Sequence, residues 1–260
     1  MQATRLPSAK SSPTVARDDT GDGAKPLKQG NKQLRPLLIG HRGARRYAPE
    51  NTIAAFDLTL EHGCDGFEFD LRRTADGRAV VCHDPRLYRL EICRTPYGAV
   101  VARCPTLCTL EDVLTRYAMR AFLYIELKVA GLEREVLSAL AEHKPGRGYV
   151  IASFQKEVLC AARELDAAVP LGYICDQRRA LPAWCELPVQ YVMPKQSLVT
   201  RGLVSELHGG GKQVFVWTVN RQDEMLAAAE MGVDGILSDD TALLGRVLTT
   251  WPFSRGSSHS

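Results

Sequence analysis

The sequence predicts an α/β protein, a (β/α)₈ TIM barrel with a short β-hairpin or loop inserted after the second strand. Eight short runs of β-branched or aromatic residues alternate with longer segments, most of them helical in periodicity, over about 215 residues. The alternative is a doubly wound open sheet, which usually carries fewer strands and a glycine-rich nucleotide fingerprint. No G-x-G-x-x-G follows the first run here, which favours the barrel.

The eight predicted strands are spread over nearly the whole chain. Strands of a parallel barrel are buried on both faces, so each is expected to be a nearly continuous apolar run. The predicted strands are residues 36–40, 65–71, 122–128, 148–153, 169–174, 190–193, 213–218 and 234–238.

Six of the segments between and after these runs are predicted helices. Glycines close several of them, as at Gly63 and Gly232, which is typical of a helix C-terminus. The link 176–187 is poorly helical because Pro182 interrupts it. The predicted helices are residues 51–61, 132–142, 155–165, 200–207, 221–230 and 241–248.

One further element interrupts the repeat after the second strand. The sequence Thr74-Ala75-Asp76-Gly77 is a turn signal, and residues 78–83 form another apolar strand that returns from it. Residues 85–105 are then predicted to be an irregular excursion before the third barrel strand.

The two ends of the chain differ in composition from this body. Residues 1–35 hold seven Lys or Arg and three Asp among turn formers, which predicts a disordered basic tail. Residues 251–260 are predicted to be a flexible C-terminal tail, so the barrel domain is 36–250. The net charge is +3 overall, and the nearly neutral body is not typical of a nucleic-acid binder. No apolar run is long enough to span a bilayer, and we expect no transmembrane segment.

The eight cysteines bear on localisation. Several lie in apolar runs such as Val80-Val81-Cys82, and no apolar stretch typical of a secretory signal precedes the body. This pattern favours reduced, buried thiols in a cytoplasmic protein over disulfides in a secreted one.

Charged residues stand at the carboxyl ends of three predicted strands, which should be apolar. The first strand runs directly into His41-Arg42-Gly43. In the second strand, Glu68 and Asp70 share one face, and Glu126 with Lys128 does the same in the third. One interpretation is a buried network in which Lys128 and Arg42 neutralise the acids. The favoured one is a site for one divalent metal ion, held by Glu68, Asp70 and Glu126; an all-oxygen ligand set suits Mg²⁺ or Ca²⁺.

Two histidines join these acids at strand ends. His41 ends the first strand and His83 ends the strand that returns from the Asp-Gly turn. A lone histidine at a strand end is usually structural. A pair at the same barrel mouth as three acids supplies a base and an acid of suitable pKa around a metal that binds a phosphate oxygen.

The motifs resemble, in order, those of the glycerophosphodiester phosphodiesterase family. Each is weak alone, but seven in series are specific, and together they span residues 37–247. They are His41-Arg42-Gly43, Pro49-Glu50-Asn51-Thr52, Glu68-x-Asp70, Thr74-x-Asp76-Gly77, His83-Asp84-Pro85, Glu126-x-Lys128 and Trp217-Thr218-Val219-Asn220.

The resemblance implies a role for each matching residue. His41 and His83 would be the general base and acid, and the three carboxylates would ligate the metal. The substrate-binding set would be Arg42 and Lys128 on the phosphodiester oxygens, Glu50 and Asn51 beside the metal and glycerol, and Trp217 as an aromatic wall.

The implied function is metal-dependent hydrolysis of glycerophosphodiesters, small-molecule substrates, to sn-glycerol 3-phosphate and an alcohol. Two alternatives stay open: a lysophospholipase D-like activity on lipids, and a non-catalytic barrel with a binding role.

The sequence departs from the family pattern in two places. The segment between His83 and Glu126 is short, and Ser238 and Asp240 stand where Thr and Pro are common. Asp239 or Asp240 is expected to cap the last helix.

Overall fold

A computed structural model describes residues 35–249, together with Met1. Eight parallel strands form a barrel: β1 (Leu37–Gly40), β2 (Gly66–Arg73), β6 (Phe122–Leu127), β7 (Tyr149–Ser153), β8 (Leu171–Cys175), β9 (Tyr191–Pro194), β10 (Gln213–Val216) and β11 (Gly235–Ser238). Their order around the barrel is β1, β11, β10, β9, β8, β7, β6, β2, and β2 pairs back onto β1 to close it. All eight predicted strands and the barrel are therefore confirmed.

Eight α-helices accompany the described strands. Six of them match the predicted helices: α1 (Ile53–Glu61), α4 (Glu133–His143), α5 (Lys156–Leu165), α6 (Arg201–Gly209), α7 (Gln222–Met231) and α8 (Thr241–Leu248). The link after β8 contains only a short 3₁₀ helix, Leu181–Cys185, with Pro182 in its first turn, as Pro182 predicts.

The insertion after β2 is more ordered than predicted. Strand β3 (Ala79–Val81) returns antiparallel to the end of β2, which confirms the hairpin. The segment taken as irregular holds a two-stranded hairpin, β4 (Arg86–Leu87) with β5 (Leu90–Glu91), and then helix α2 (Tyr97–Arg103). Helix α3 (Leu110–Tyr117) follows, and the sequence analysis missed it as well.

The side chains of β2 separate onto two faces, as the alternation predicts. Phe67, Phe69 and Leu71 face outward into the layer between barrel and helices. The opposite face points into the barrel, whose interior is filled by apolar side chains below the carboxylates. These are Ile39, Phe122, Tyr124, Val150, Ala152, Ile174, Tyr191, Met193, Phe215 and Leu237.

The predicted tails fall almost entirely outside the described residues. Arg35, which was assigned to the basic tail, donates to both carboxylate oxygens of Asp65 at 2.6 and 2.9 Å. The ordered barrel therefore includes this residue. Among the described residues, no helix is long and apolar enough to cross a membrane.

The cysteine prediction holds for only half of the thiols. Cys64, Cys82, Cys108 and Cys175 are buried, whereas the other four are exposed or half-buried. The exposed ones lie in the insertion, on α5 and in the 3₁₀ helix, where the strand argument does not apply.

Candidate active site

Three buried carboxylates converge at the carboxyl ends of β2 and β6. The two strands pair in parallel register, with Asp70 opposite Glu126 and Glu68 opposite Tyr124. Alternation places all three acids on the interior face. Glu68, Asp70 and Glu126 are 2%, 0% and 8% exposed, and each offers an oxygen within 4.8 Å of the others. The structure thus confirms that the predicted acids form one cluster.

The loop after β1 brings a backbone donor and a guanidinium to the cluster. Arg42 and Gly43 both have positive φ, 57° and 79°, and a Cβ on Gly43 would meet Ala55 at 2.8 Å. This tight turn aims the Arg42 amide at Glu68 Oε2, 2.6 Å away. The Arg42 side chain lies between Asp70, 3.5 Å from Nε to Oδ2, and Glu50, to which Nη1 donates at 3.0 Å.

Lys128 and Asn51 complete the surroundings of Asp70. Lys128 Nζ lies 2.6 Å from Glu126 Oε1 and 3.1 Å from Asp70 Oδ1. Asn51 is 5% exposed, donates to Asp70 Oδ2 at 2.8 Å and accepts from the Asp70 amide at 3.3 Å. The Asn51 side chain is therefore committed to Asp70, and of the Glu50-Asn51 pair only Glu50 keeps a partly exposed side chain, 35%.

The acids differ in how burial affects them. Burial, and after it the charges of Asp70 and Glu126, raise the pKa of Glu68 well above its usual range. Burial and Asp70 likewise raise the pKa of Glu126 to about 7. Burial also opposes the ionisation of Asp70, but Lys128, the Asn51 hydrogen bond and Arg42 outweigh it and lower the pKa of Asp70. Two of the acids thus favour a proton or another cation.

The cluster fits a divalent metal ion. Within residues 35–249, buried Glu68 Oε1 has no hydrogen-bond partner, and neither does Asp70 Oδ1, although Lys128 Nζ lies close to it. A buried carboxylate oxygen left unpaired is costly, and a cation would satisfy it. Three carboxylates without a histidine or cysteine favour a hard ion such as Mg²⁺ or Ca²⁺.

His41, at the end of β1, is held by Asp239, one of the two carboxylates that the sequence offers as a cap for the last helix. Its Nδ1 lies 2.7 Å from Asp239 Oδ1. Asn220 fixes Asp239 in turn: its Nδ2 donates to Oδ2 at 2.8 Å, and its Oδ1 accepts from the Asp239 amide at 2.9 Å. Burial opposes ionisation of Asp239, but the hydrogen bond and charge of His41, the Asn220 hydrogen bond and Arg45 together outweigh it and lower the pKa of Asp239. An ionised Asp239 accepts from Nδ1–H, which leaves Nε2 as the free basic atom of neutral His41.

His83 lies on the insertion side of the mouth. Its Nδ1 is 2.7 Å from Asp84 Oδ1, and its carbonyl accepts from Arg72 Nε at 2.7 Å, so the residue is positioned through both side chain and backbone. Burial lowers the pKa of His83; Asp70 and Asp84 oppose this shift, while Lys128 and Arg42 add to it.

Trp217 follows β10 on another side of the barrel. Its Nε1 donates to the Met193 carbonyl at 2.8 Å, and its ring meets Phe154 edge-on at 5.7 Å between centroids. Lys128 Nζ lies 5.9 Å from the Phe154 ring centre. Phe154, which is 40% exposed and was not predicted, lies between the Trp217 ring and Lys128.

Two roles at this mouth were not predicted from the sequence, that of Asp239 beside His41 and that of Arg45. The predicted cap of the last helix is confirmed for one of its two candidates. Asp240, not Asp239, caps α8 by accepting from the Leu243 amide. Asp239 is free for His41, and Arg45 joins it to Glu50, with contacts of 3.6 and 3.2 Å. The sequence did carry a signal for the role of Asp239. Two adjacent aspartates precede α8, and because only one of them is needed as the cap, the other is available for a different contact.

A closed barrel with an acidic cluster, two histidines and two cations at its carboxyl-terminal mouth defines an enzyme that acts on phosphate esters. The comparisons with known proteins specify this class. Residues 41–100 and 107–243 match the model of the glycerophosphoryl diester phosphodiesterase family. The chain belongs to this family and is a phosphodiesterase.

Individual relatives agree with this assignment. The chain is 33% identical to Bacillus subtilis YhdW over 234 residues. This match covers 78% of this chain and 93% of YhdW. It is 29% identical over 238 residues to the glycerophosphodiester phosphodiesterase of Caldanaerobacter subterraneus, covering 81% and 97%.

Solved structures share the fold. A crystal structure of a Silicibacter pomeroyi protein superposes with a TM-score of 0.75 at 26% identity, over 82% of this chain and 95% of that one. An Oleispira antarctica phosphodiesterase, solved in complex with the product sn-glycerol-3-phosphate, gives 0.69 at 24% identity over 82% and 96%.

The raised pKa of Glu126 predicts a pH-dependent stability of the metal-free protein. Above the usual glutamate pKa, near 4.5, the unfolded chain has lost this proton while the folded chain keeps it. Stability therefore falls as pH rises from about 4.5 to about 7. The loss from this group is about 3 kcal/mol. Urea unfolding in excess EDTA measures it, with Glu126→Gln as reference because its side chain does not ionise. Parallel pH curves for the two proteins would contradict the shift.

The Asp239–His41 contact predicts a positioning role for Asp239. Asp239→Asn keeps the size of the side chain but no longer requires a proton on His41 Nδ1, so kcat falls on the order of 10²-fold with little change in KM. The ¹⁵N shifts of the His41 ring report its tautomer directly. Asp240→Asn is the matched control, since asparagine also caps helices. Unchanged ring shifts and kcat in Asp239→Asn would rule the role out.

Proposed function

We propose that the chain hydrolyses glycerophosphodiesters to sn-glycerol 3-phosphate and an alcohol. A divalent ion, Mg²⁺ or Ca²⁺, would be held by Glu68, Asp70 and Glu126. The observation that carries the proposal is the mouth itself, where three buried acids, two of them with an unpaired oxygen, lie at the same end of the barrel as two histidines that are held in different ways. When bound, the ion supplies positive charge for a phosphodiester oxygen.

The two histidines divide the proton transfers. His41, whose Nδ1 is bonded to Asp239, takes a proton at Nε2 and acts as the base. His83, whose pKa burial keeps low, gives its proton up readily and protonates the oxygen of the departing alcohol. Arg42 and Lys128 are both charged and stabilise the negative charge that develops on the phosphoryl oxygens.

The remaining residues orient the substrate. Trp217 forms the wall against which the glycerol lies, and Glu50, held by Arg42 and Arg45, faces the glycerol hydroxyls. Asn51 acts through Asp70, because its amide is already bonded there. Cytoplasmic localisation stays a prediction.

The glycerol 2-hydroxyl is the proposed nucleophile. This hydroxyl is on the carbon next to the one that bears the phosphate ester. Its attack on phosphorus is therefore intramolecular and avoids the entropic cost of recruiting water. His41 accepts the hydroxyl proton, a P–O bond forms, and the bond to the alcohol breaks as His83 protonates it. Water then opens the cyclic phosphate, with the roles of the histidines reversed.

Chelation tests the proposal as a whole. Release of glycerol 3-phosphate from glycerophosphocholine should disappear in excess EDTA and return with Mg²⁺ or Ca²⁺. Glu68→Gln, Asp70→Asn and Glu126→Gln should bind the ion more weakly while their far-UV circular dichroism stays native. Undiminished turnover in EDTA is the outcome that sinks the metal assignment.

Removal of either histidine tests the acid–base assignment. His41→Ala and His83→Ala should each lose on the order of 10²–10⁴-fold in kcat, the usual contribution of general acid–base catalysis. The wild-type pH–rate profile should be bell-shaped, since one ring must be neutral and the other protonated. A variant that keeps more than about a tenth of wild-type kcat would exclude that residue, since even the low end of the expected loss is larger.

A 2-deoxy analogue tests the nucleophile. With hydrogen in place of the 2-hydroxyl, the phosphate and head group are unchanged, so the compound should bind as a competitive inhibitor. It should turn over far more slowly than its parent in the same assay. Comparable rates would show that water attacks phosphorus directly.

A further inference from the structure

A cavity of about 360 Å³ opens beside His83, between the loop before α1 and the insertion after β2. Its inner end is formed by Asn51 and His83. Its outer end is formed by the β4–β5 hairpin and by the segment between α2 and α3, including Leu107. One end of this space therefore lies at the catalytic groups and the other at the insertion.

The position of the acid decides which half of a substrate enters this space. In the proposed mechanism, His83 protonates the oxygen of the departing alcohol, so that oxygen must lie within hydrogen-bond reach of the ring. The carbon chain attached to it continues away from phosphorus. Since His83 lines the cavity, the leaving alcohol is the part of the substrate that extends into it.

The lining favours hydrocarbon over a small charged head group. The cavity is lined by five largely apolar residues, Pro49, Val81, Leu87, Tyr88 and Leu107. Leu107 is 9% exposed and packs with the apolar cluster of the insertion, to which Leu87 also belongs.

The charged groups of the lining mostly have partners already. Glu50, which faces the glycerol in the proposed function, lies at the inner end of the cavity and bonds to Arg42 and Arg45. Asp84 bonds to His83, and Arg86 is the third charged residue of the lining. A cationic head group would have to compete with these contacts, whereas an aliphatic chain leaves them intact.

A second cavity adjoins the first. It has a volume of about 720 Å³, runs along α1 and α3, and is lined by Ile53, Ala54 and Pro105 and by the charged Asp112 and Arg116 of α3. The two spaces share Pro49, Thr52, Thr106 and Leu107 as lining residues. Leu107 and its neighbours thus separate an inner cavity from a continuation that can take more of a chain.

We propose that these two cavities form the site for the leaving alcohol, and that the enzyme prefers glycerophosphodiesters whose alcohol carries an aliphatic chain. This inference rests on the proposed function. It places hydrocarbon on the leaving side of phosphorus, whereas a lysophospholipase D-like enzyme would bind it on the glycerol side.

Two matched substrate series separate these possibilities. The first consists of glycerophosphoalkanols with two to eight carbons on the leaving alcohol. The second consists of 1-O-alkyl glycerophosphoethanols that carry the same added carbons on the glycerol and keep the 2-hydroxyl. In the first series, kcat/KM should rise about two- to fourfold for each methylene group that is buried. The second series should stay flat.

A variant at the shared wall locates the effect. Thr106 is exposed, and its hydroxyl lies 3.6 Å from Cys104 Sγ. Thr106→Trp should narrow the passage between the cavities and lower the ratio of kcat/KM for the octyl ester to that for the ethyl ester. Ser205→Trp, on the exposed face of α6, is the matched control and should keep the wild-type ratio.

Each outcome decides the inference. A rising first series, a flat second series and a lowered ratio in Thr106→Trp support it. A flat first series with active ethyl ester overturns the alcohol site and leaves the proposed function standing. An equal or larger rise in the second series overturns it in favour of a glycerol-side lipid site. If the wild-type protein hydrolyses no compound of either series, the ethyl ester included, the proposed function is overturned and the inference with it.

Discussion

Mutual repulsion among three buried carboxylates is the constraint on which the mouth of this barrel depends. The parallel register of β2 and β6 sets Asp70 directly opposite Glu126, and alternation places Glu68 on the same face. All three acids are buried, so bulk water screens their charges only weakly. Arg42 and Lys128 must therefore enter the cluster, and the tight turn at Gly43 and the end of β6 are where the chain delivers them.

The same constraint explains which features sequence reasoning could predict. Acidic residues within apolar strand runs stand out in the sequence, and the alternation of side chains along a strand predicts which of them share a face. Glu68, Asp70 and Glu126 could therefore be grouped from the sequence alone. Helices α2 and α3 were harder. Helix α2 has seven residues, includes Gly98 and follows Pro96, so its periodicity is weak. Helix α3 did carry a signal, a capping box formed by Thr109 and Asp112, but with aspartate in place of the more usual glutamate.

Partners from distant parts of the chain were beyond sequence reasoning. His41 and Asp239 are 198 residues apart in sequence, and only closure of the barrel between β1 and β11 brings them together. Either of two adjacent aspartates satisfied the cap rule, and local pattern does not say which one turns inward. Asn51 is a similar case. Its own backbone is in the left-handed conformation ahead of α1, with φ 58°, and its hydrogen bond to Asp70 depends on that conformation.

Charge counting at the mouth connects the acids to the histidines. Five carboxylates (Glu50, Glu68, Asp70, Glu126 and Asp239) lie with three fixed cations, Arg42, Arg45 and Lys128, so a fully ionised site lacks two positive charges. The raised pKa values of Glu68 and Glu126 favour protons at these two positions when no metal is bound, and a divalent ion would supply the same two charges. A phosphodiester adds one negative charge to that balanced site. In the proposed mechanism the group that answers it is His83. Burial lowers the pKa of His83 in the free site, and an added negative charge nearby would raise it toward the protonated form that the acid role requires.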